Sequence, residues 1–146
     1  MPTDMLVGGR YSELIERAVR APRNALREST LGHQEALEEL ASVWEECRQP
    51  DWDGFGAIAV EPATCSAAYM LIDSLPLGFL RPSIGAEPDG HITLEWRRSP
   101  RRVLSVSVGP EGFLHYAGLF GSNRRYGSLE FFSTAPDELL QLVRDL

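Results

Sequence analysis

The sequence predicts an α+β fold. A four-stranded antiparallel meander, at about residues 91–132, packs with two preceding helices and a C-terminal helix in a two-layer sandwich. Three observations predict this fold. Apolar and polar residues alternate over residues 92–97 and 104–108, as they do in strands with one buried face. Turn-forming residues separate the strand-like runs. Apolar residues before and after this region recur at helical spacing instead.

The first two strands have one register that keeps all their apolar side chains on the same face. A slip of one residue would set apolar side chains against polar ones, so the alternation specifies the register strongly. The residues between these strands, 98–102, are predicted to form an exposed hairpin loop with three arginines. The predicted opposite pairs are Trp96 with Leu104, Leu94 with Val106, and Ile92 with Val108.

The third strand-like run, residues 113–120, is apolar on both faces. Such a strand either lies under cover on both sides or has one side that meets another molecule. A second arginine-bearing loop, 121–127, and a short fourth strand, 128–132, are predicted to follow. The two faces of the third strand carry Phe113, His115, Ala117 and Leu119 on one side, and Leu114, Tyr116, Gly118 and Phe120 on the other.

Three segments show the apolar spacing of helices. The first is predicted over Gln34 to Arg48, and the second over Pro62 to Leu75, where proline suits the first helical position. The last helix is predicted to open with Thr134 as its N-cap and Pro136 just inside. The segment 77–90 between helix and sheet is predicted to be an ordered loop.

The length of 146 residues suits one domain with a real core. We expect residues 31–146 to form this single α+β domain. Residues 1–30 are expected to form a partly disordered N-terminal arm with a short helix, because the segment has few packing partners.

The net charge of −7 is unevenly distributed. Residues 31–146 carry nine arginines against seventeen acidic residues, which argues against general binding to nucleic acid. All fourteen basic residues are arginine, so Schiff-base chemistry and a phosphate-binding lysine are excluded.

Compartment and membrane association follow from the same composition. No apolar run approaches the length of a membrane helix, and the first residues do not have the pattern of a secretory signal. A cytoplasmic location is therefore expected. Cys47 and Cys65 both lie on apolar helical stripes, and we expect them to be reduced thiols of the core.

A search for catalytic chemistry gives no candidate. The sequence contains no nucleophile elbow, no His or Cys pair at metal-ligand spacing, and no phosphate loop between a strand and a helix. We therefore predict no catalytic residue, no metal site and no cofactor. His33 lies near a predicted helix start and His91 at the start of a predicted strand. His115, well inside a predicted strand, is interpreted first as a structural histidine.

The remaining features concern binding. The stretch 51–57, DWDGFGA, is interpreted first as a structural turn, with Trp52 and Asp53 as binding candidates. The arginine loops are predicted to form a local basic patch, because the guanidinium fork binds carboxylates and phosphates through paired hydrogen bonds. A solvated loop is the competing interpretation. The other binding candidates are Arg97, Arg101, Arg102, Arg124 and Arg125, with His115 and Tyr116.

A series of short motifs resembles a group of short bacterial proteins of uncharacterised function. The motifs are WDGFGA (52–57), a proline-opened helix at 62, PDG (88–90), LEW (94–96), VLSVSVG (103–109) and YAGLFG (116–121). The resemblance covers about residues 37–146. It implies a compact bacterial domain and assigns no catalytic or binding residue.

Our first hypothesis is a non-catalytic bacterial interaction or regulatory module that acts through a protein partner, for example as an antitoxin-like protein, and that forms a homodimer. The alternative is a small-molecule-binding or enzymatic domain with a site near Trp52 and Asp53, where Arg97, His115 and Tyr116 would converge. A nucleic-acid role for the arginine loops ranks third.

Overall fold

Three helices and five strands make up residues 33–146, the part of the chain that the computed structural model describes. The predicted arm, residues 1–30, lies outside it. The elements in chain order are α1 (His33–Cys47), α2 (Pro62–Asp73), β1 (Ser83–Ala86), β2 (Ile92–Ser99), β3 (Arg102–Val108), β4 (Phe113–Phe120), β5 (Asn123–Glu130) and α3 (Asp137–Arg144).

The strands form one antiparallel sheet in the order β1-β2-β3-β4-β5. The prediction of an α+β fold with an antiparallel meander is therefore confirmed. The predicted register between β2 and β3 is also confirmed, since all three predicted apolar pairs lie opposite one another.

The predicted number of four strands is wrong, because the segment assigned to a loop contains the edge strand β1. This strand has four residues, Ser-Ile-Gly-Ala, and Ile84 lies opposite Leu94 of β2. A single buried apolar residue beside a glycine gives no alternation to detect, and Pro82 and Pro88 flank the strand. Pairing with β2 stabilises it.

The predicted loop at 121–127 is also wrong, because the turn contains only Gly121 and Ser122 and the remainder belongs to β5. Gly121 has a φ of 70°, a left-handed value that such a tight turn requires. Residues 123–126 are exposed, so this edge strand lacks the apolar alternation on which the sequence prediction depended.

The core lies between the helices and one face of the sheet, which we call the inner face. Trp96 of β2 is fully buried there, and its Nε1 donates a hydrogen bond of 2.8 Å to the backbone oxygen of Leu80. Leu40 of α1 and Leu71 of α2 are also fully buried in this core. The predicted two-layer arrangement follows, since the apolar stripes of the helices cover the apolar face of the sheet.

The two faces of β4 have different surroundings. Leu114 and Phe120 on the inner face are buried, and Tyr116 is half-buried against the core. On the opposite face, which we call the outer face, Phe113, His115 and Ala117 are exposed among residues 33–146. Within residues 33–146, β4 is therefore covered on its inner side, while its outer side is open.

The last helix begins later than predicted. Thr134 is exposed and precedes the helix, and Pro136 occupies the N-cap position with no side-chain capping hydrogen bond. Asp137 and Glu138 in the first turn interact favourably with the positive end of the helix dipole.

Cys47 and Cys65 are both free and buried, as predicted for reduced core thiols. None of the helices within residues 33–146 has the length and apolar character to cross a membrane.

A pair of leucine substitutions tests the position of the core. Leu94 is fully buried, whereas Leu77 is 62% exposed. We expect Leu94→Ala to lower the free energy of unfolding by about 2–5 kcal/mol through lost burial and a cavity. Leu77→Ala, the matched control, should change it by about 0.5 kcal/mol or less. Urea denaturation measures both values, and equal losses would contradict the assigned core.

Candidate functional site

Two hairpins bring the arginine loops together at one end of the sheet. The β2–β3 hairpin lies next to the β4–β5 turn, because the backbone N of Gly121 donates a 2.8 Å hydrogen bond to the backbone oxygen of Arg101. Arg102 lies opposite Phe120 in the β3–β4 register. We call this the arginine end of the sheet. It contains Arg97, Arg98, Arg101, Arg102, Arg124 and Arg125.

Three of these arginines have acceptors within the fold. Arg97 contacts Glu95 on the same strand, with nitrogen–oxygen distances of 3.0 and 3.2 Å. Arg102 donates to the backbone oxygen of Asp145 at 3.2 Å. Arg125 donates to Oδ2 of Asp145 at 2.9 Å and lies over the Phe120 ring, 4.4 Å from its centroid. The two contacts with Asp145 join the sheet to the C-terminal end of α3.

The other three arginines, Arg98, Arg101 and Arg124, are exposed. Within residues 33–146 none of them forms an ion pair or a side-chain hydrogen bond. Two of the six arginines thus form ion pairs with carboxylates, those of Glu95 and Asp145. The arginine end is a positively charged surface on an acidic chain.

A shallow groove of about 370 Å³ on the outer face adjoins these arginines. Val103, Leu119 and Ala117 supply apolar surface in the groove, and Arg124 and Tyr126 line its side toward the sheet edge. Tyr126 is 83% exposed. An apolar floor beside a phenol and a guanidinium can bind a ligand that is both apolar and anionic.

The loop with Trp52 and Asp53 lies at the other end of the sheet. Ile58 donates its backbone N–H to the oxygen of Pro88 in the β1–β2 turn at 2.8 Å. Oδ1 of Asp53 accepts the backbone N–H groups of Phe55 and Ala57 at 2.8 and 3.1 Å. Trp52 Nε1 donates to the backbone oxygen of Ile58 at 2.9 Å. Both candidate side chains therefore stabilise their own turn, as the structural interpretation expects.

His115 and Tyr116 are neighbours in sequence and lie on opposite faces of the sheet. His115 is on the outer face, where its Nδ1 is 2.7 Å from Oγ of Ser128. Tyr116 is on the inner face and lies over Gly127, where a Cβ would come within 2.8 Å of the tyrosine hydroxyl. The structure thus does not bring Trp52, Asp53, Arg97, His115 and Tyr116 into one cluster.

A polar cluster that the sequence did not predict lies at the end of the sheet opposite the arginines. Ser107 Oγ donates to Oε2 of Glu87 at 2.7 Å, and Nδ1 of His91 lies 2.9 Å from the same Oγ. Because the hydroxyl proton points to Glu87, Nδ1 of His91 must be the donor toward the same Oγ. The sequence indicates this cluster through the predicted β2–β3 register, which places His91 opposite Gly109.

Gly109 makes room for the histidine ring. A Cβ at this position would lie 2.8 Å from both Cε1 and Nε2 of His91, so any other residue would displace the ring. Glu87, Asp89 and His91 could also hold a metal ion, since their ligand atoms lie within 4.8 Å of one another. Such an ion would compete with the Ser107 hydrogen bonds for His91 and Glu87.

Comparisons with family models, curated proteins and solved structures find no match for the chain.

Two environments shift pKa values. The hydrogen bonds from Arg125 and Gln141 lower the pKa of the Asp145 carboxyl below its ordinary value of 3.8. Burial raises the pKa of the Cys65 thiol to about 12, and burial with the nearby Glu46 raises the pKa of Cys47. The thiolate that a nucleophile requires is thus disfavoured at both cysteines.

The Asp145 contact predicts a pH-dependent contribution to stability. Because the folded-state pKa is lowered, this contribution is complete above pH 3.8 and is lost as pH falls through the folded-state pKa. We expect Asp145→Asn to unfold at lower urea concentration than the wild type at neutral pH, with the difference closing in acid. Glu111→Gln, which removes an exposed loop carboxylate, should show no such trend. A difference that stays constant down to acid pH would contradict the contact.

The buried thiols predict slow alkylation. With a pKa of about 12, about one Cys65 thiol in ten thousand is ionised at pH 8. We expect iodoacetamide to leave Cys65 unmodified in the native chain and to modify it in urea at the same pH. Peptide mapping by mass spectrometry measures both. Rapid native modification would show that Cys65 is accessible and ionised.

Proposed function

We propose that the chain is a non-catalytic interaction module that binds a protein partner through the arginine end and the adjoining groove of the outer face. One observation carries the proposal: two hairpins place six arginines together beside an exposed apolar groove. Ion pairs engage Arg97 and Arg125, and Arg102 donates to a backbone oxygen. Arg98, Arg101 and Arg124 have no such role among residues 33–146, and their guanidinium groups face solvent.

The chemistry of this surface favours a partner segment that is acidic and partly apolar. Arginine binds carboxylates through paired hydrogen bonds, and exposed tyrosine supplies contact area with little loss of side-chain entropy. Tyr126 and Arg124 both line the groove. The acidic surface around this end would repel an anionic partner that approaches elsewhere. It would thus favour the orientation in which the partner meets the arginines.

A protein partner fits better than nucleic acid for the same reason. Nucleic-acid binding draws most of its affinity from an extended basic footprint. The positive surface here is confined to two hairpins, and the opposite end of the sheet carries Glu87, Asp89, Glu111 and Glu130. A long phosphate backbone crossing the sheet would meet these carboxylates.

The alternative, a small-molecule or enzymatic site near Trp52 and Asp53, has weaker support. Asp53 and Trp52 use their polar atoms within their own loop. The proposal of an interaction module also includes the resemblance to short bacterial proteins, a bacterial origin, a cytoplasmic location and a homodimeric state. An acidic regulatory or antitoxin-like protein would combine these properties.

Charge reversal at the arginine end tests the proposal. We expect Arg101→Glu to lose the protein partner that the wild-type chain captures from a nuclease-treated bacterial lysate, because an acidic segment would meet a like charge. The captured protein is identified by mass spectrometry, and its affinity for each variant is then measured by calorimetry. A loss of about tenfold or more corresponds to removal of one charged hydrogen bond and addition of one repulsion.

Arg48→Glu is the matched control. Arg48 is exposed directly after α1, where Cys47 accepts the backbone N–H of Val60 from the loop at the other end of the sheet. Its substitution gives the same change in net charge. The control should retain the partner. Equal retention by Arg101→Glu, or capture that disappears with nuclease treatment, would contradict a protein interface at the arginine end.

A further inference from the structure

The edge strand β5 is open along its outer side. It is the last strand of the sheet, it has eight residues, and no other strand within residues 33–146 pairs with that side. The opposite edge strand, β1, has only four residues, and α1 contacts it there: Oε1 of Glu39 accepts the backbone N–H of Ile84 at 3.1 Å. A long open strand edge is a template for pairing with a further strand.

The β4–β5 turn determines which backbone groups face this open edge. Phe120 and Asn123 flank a two-residue turn, so they exchange both of their backbone hydrogen bonds. Hydrogen-bonded and non-hydrogen-bonded pairs alternate from there along the ladder. The odd-numbered residues of β5 therefore bond to β4. The even-numbered ones point their N–H and C=O groups outward: Arg124, Tyr126, Ser128 and Glu130.

The sequence of these outward residues is complementary to itself. In an antiparallel pair of two β5 strands centred on Gly127, Arg124 lies opposite Glu130 of the second copy, and Tyr126 lies opposite Ser128. All four positions are outward-facing on both copies, so each pair exchanges two hydrogen bonds, about eight in total. Two ion pairs form at the ends of the shared ladder, where opposite charges across strands are favourable.

The neighbouring registers are poorer. A shift of two residues in one direction places Tyr126 opposite its own copy and Arg124 opposite Ser128, which loses both ion pairs and about two hydrogen bonds. A shift in the other direction places Tyr126 opposite Glu130 and leaves Arg124 beyond the strand. One register therefore combines the longest ladder with paired charges.

We infer that two copies of this chain associate through antiparallel pairing of their β5 strands about a two-fold axis at Gly127. The result is a continuous ten-stranded sheet with helices on one face. This dimer engages Arg124 and Tyr126, which also line the groove, but it leaves Arg98 and Arg101 free, since they lie on the β2–β3 hairpin and not on β5. Gly127 suits the axis, because Tyr116 covers it on the inner face and leaves no space for a side chain.

Charge reversal tests the pairing. In a dimer of the Arg124→Glu variant, two glutamates lie opposite each other at each end of the shared ladder. In a dimer of the Glu130→Arg variant, two arginines lie opposite each other at each end. We expect each single variant to dimerise at least about tenfold more weakly than the wild type, because two attractions become two repulsions. Analytical ultracentrifugation of the full chain over a range of concentrations measures the dimer affinity.

Two rescue measurements isolate the contact between copies. The double variant Arg124→Glu with Glu130→Arg should dimerise as the wild type does. An equimolar mixture of the two single variants should form a heterodimer. At each end of the shared ladder, a glutamate of one copy then lies opposite an arginine of the other. Within one chain the two positions lie about 20 Å apart along the strand, so no intramolecular ion pair can produce this rescue.

The Arg101→Glu variant is the control for charge and for the partner surface. It should retain the wild-type dimer affinity even where it loses the protein partner, so the two proposals fail separately. A monomeric wild type would overturn the inference. So would a dimer that neither single variant weakens, since it would use another surface, or a mixture of the single variants that does not associate.

Discussion

Burial of the inner face of the sheet is the interaction on which the remaining structure depends. The alternation along β2 and β3 places every second side chain under α1 and α2, with Trp96 fully buried and hydrogen-bonded to Leu80. The same alternation necessarily directs the intervening residues outward. A two-layer fold of this kind thus produces a covered face and an open face from one sequence pattern. The described helices are all committed to the inner face.

The open face is uneven, and its two ends differ in charge. Across the middle rows lie small side chains such as Ser105, Ser107 and Ala117, which follow from the register of β2 to β5. The hairpins at one end supply arginines, while the turns at the other end supply carboxylates. A meander places alternate turns at opposite ends of a sheet, so the composition of each turn determines the charge of the end at which it lies.

The sequence predicted the parts of this fold that have a strong periodic signal. The fold class, the helical segments and the β2–β3 register all depend on long apolar patterns. Strand β1 was not predicted because tertiary pairing stabilises four residues with little propensity of their own. The end of strand β5 was predicted, within the strand assigned to residues 128–132. Its first part, residues 123–127, was assigned to a loop, because an exposed edge needs no apolar face and the Asn-Arg-Arg start resembles a loop.

The candidate site was predictable to the extent that it depends on register. The arginine loops were recognisable, and the pairing of strands implies that two hairpins at the same end of a meander lie side by side. The contact between Gly121 and Arg101 realises this geometry. The cluster of Glu87, Ser107 and His91 joins residues up to twenty positions apart through side-chain rotamers, and no periodicity encodes rotamers.

The polarity of the sheet also bears on how two copies can meet. Parallel alignment of two β5 edges would set arginine end beside arginine end. Antiparallel alignment sets the arginine end of one copy beside the acidic end of the other, which lowers the electrostatic cost of association at every register. In the inferred dimer the two β2–β3 hairpins then lie at opposite corners of the ten-stranded sheet. A partner with two acidic segments would bind such a dimer bivalently, and its gain in avidity would depend on whether its linker spans those corners.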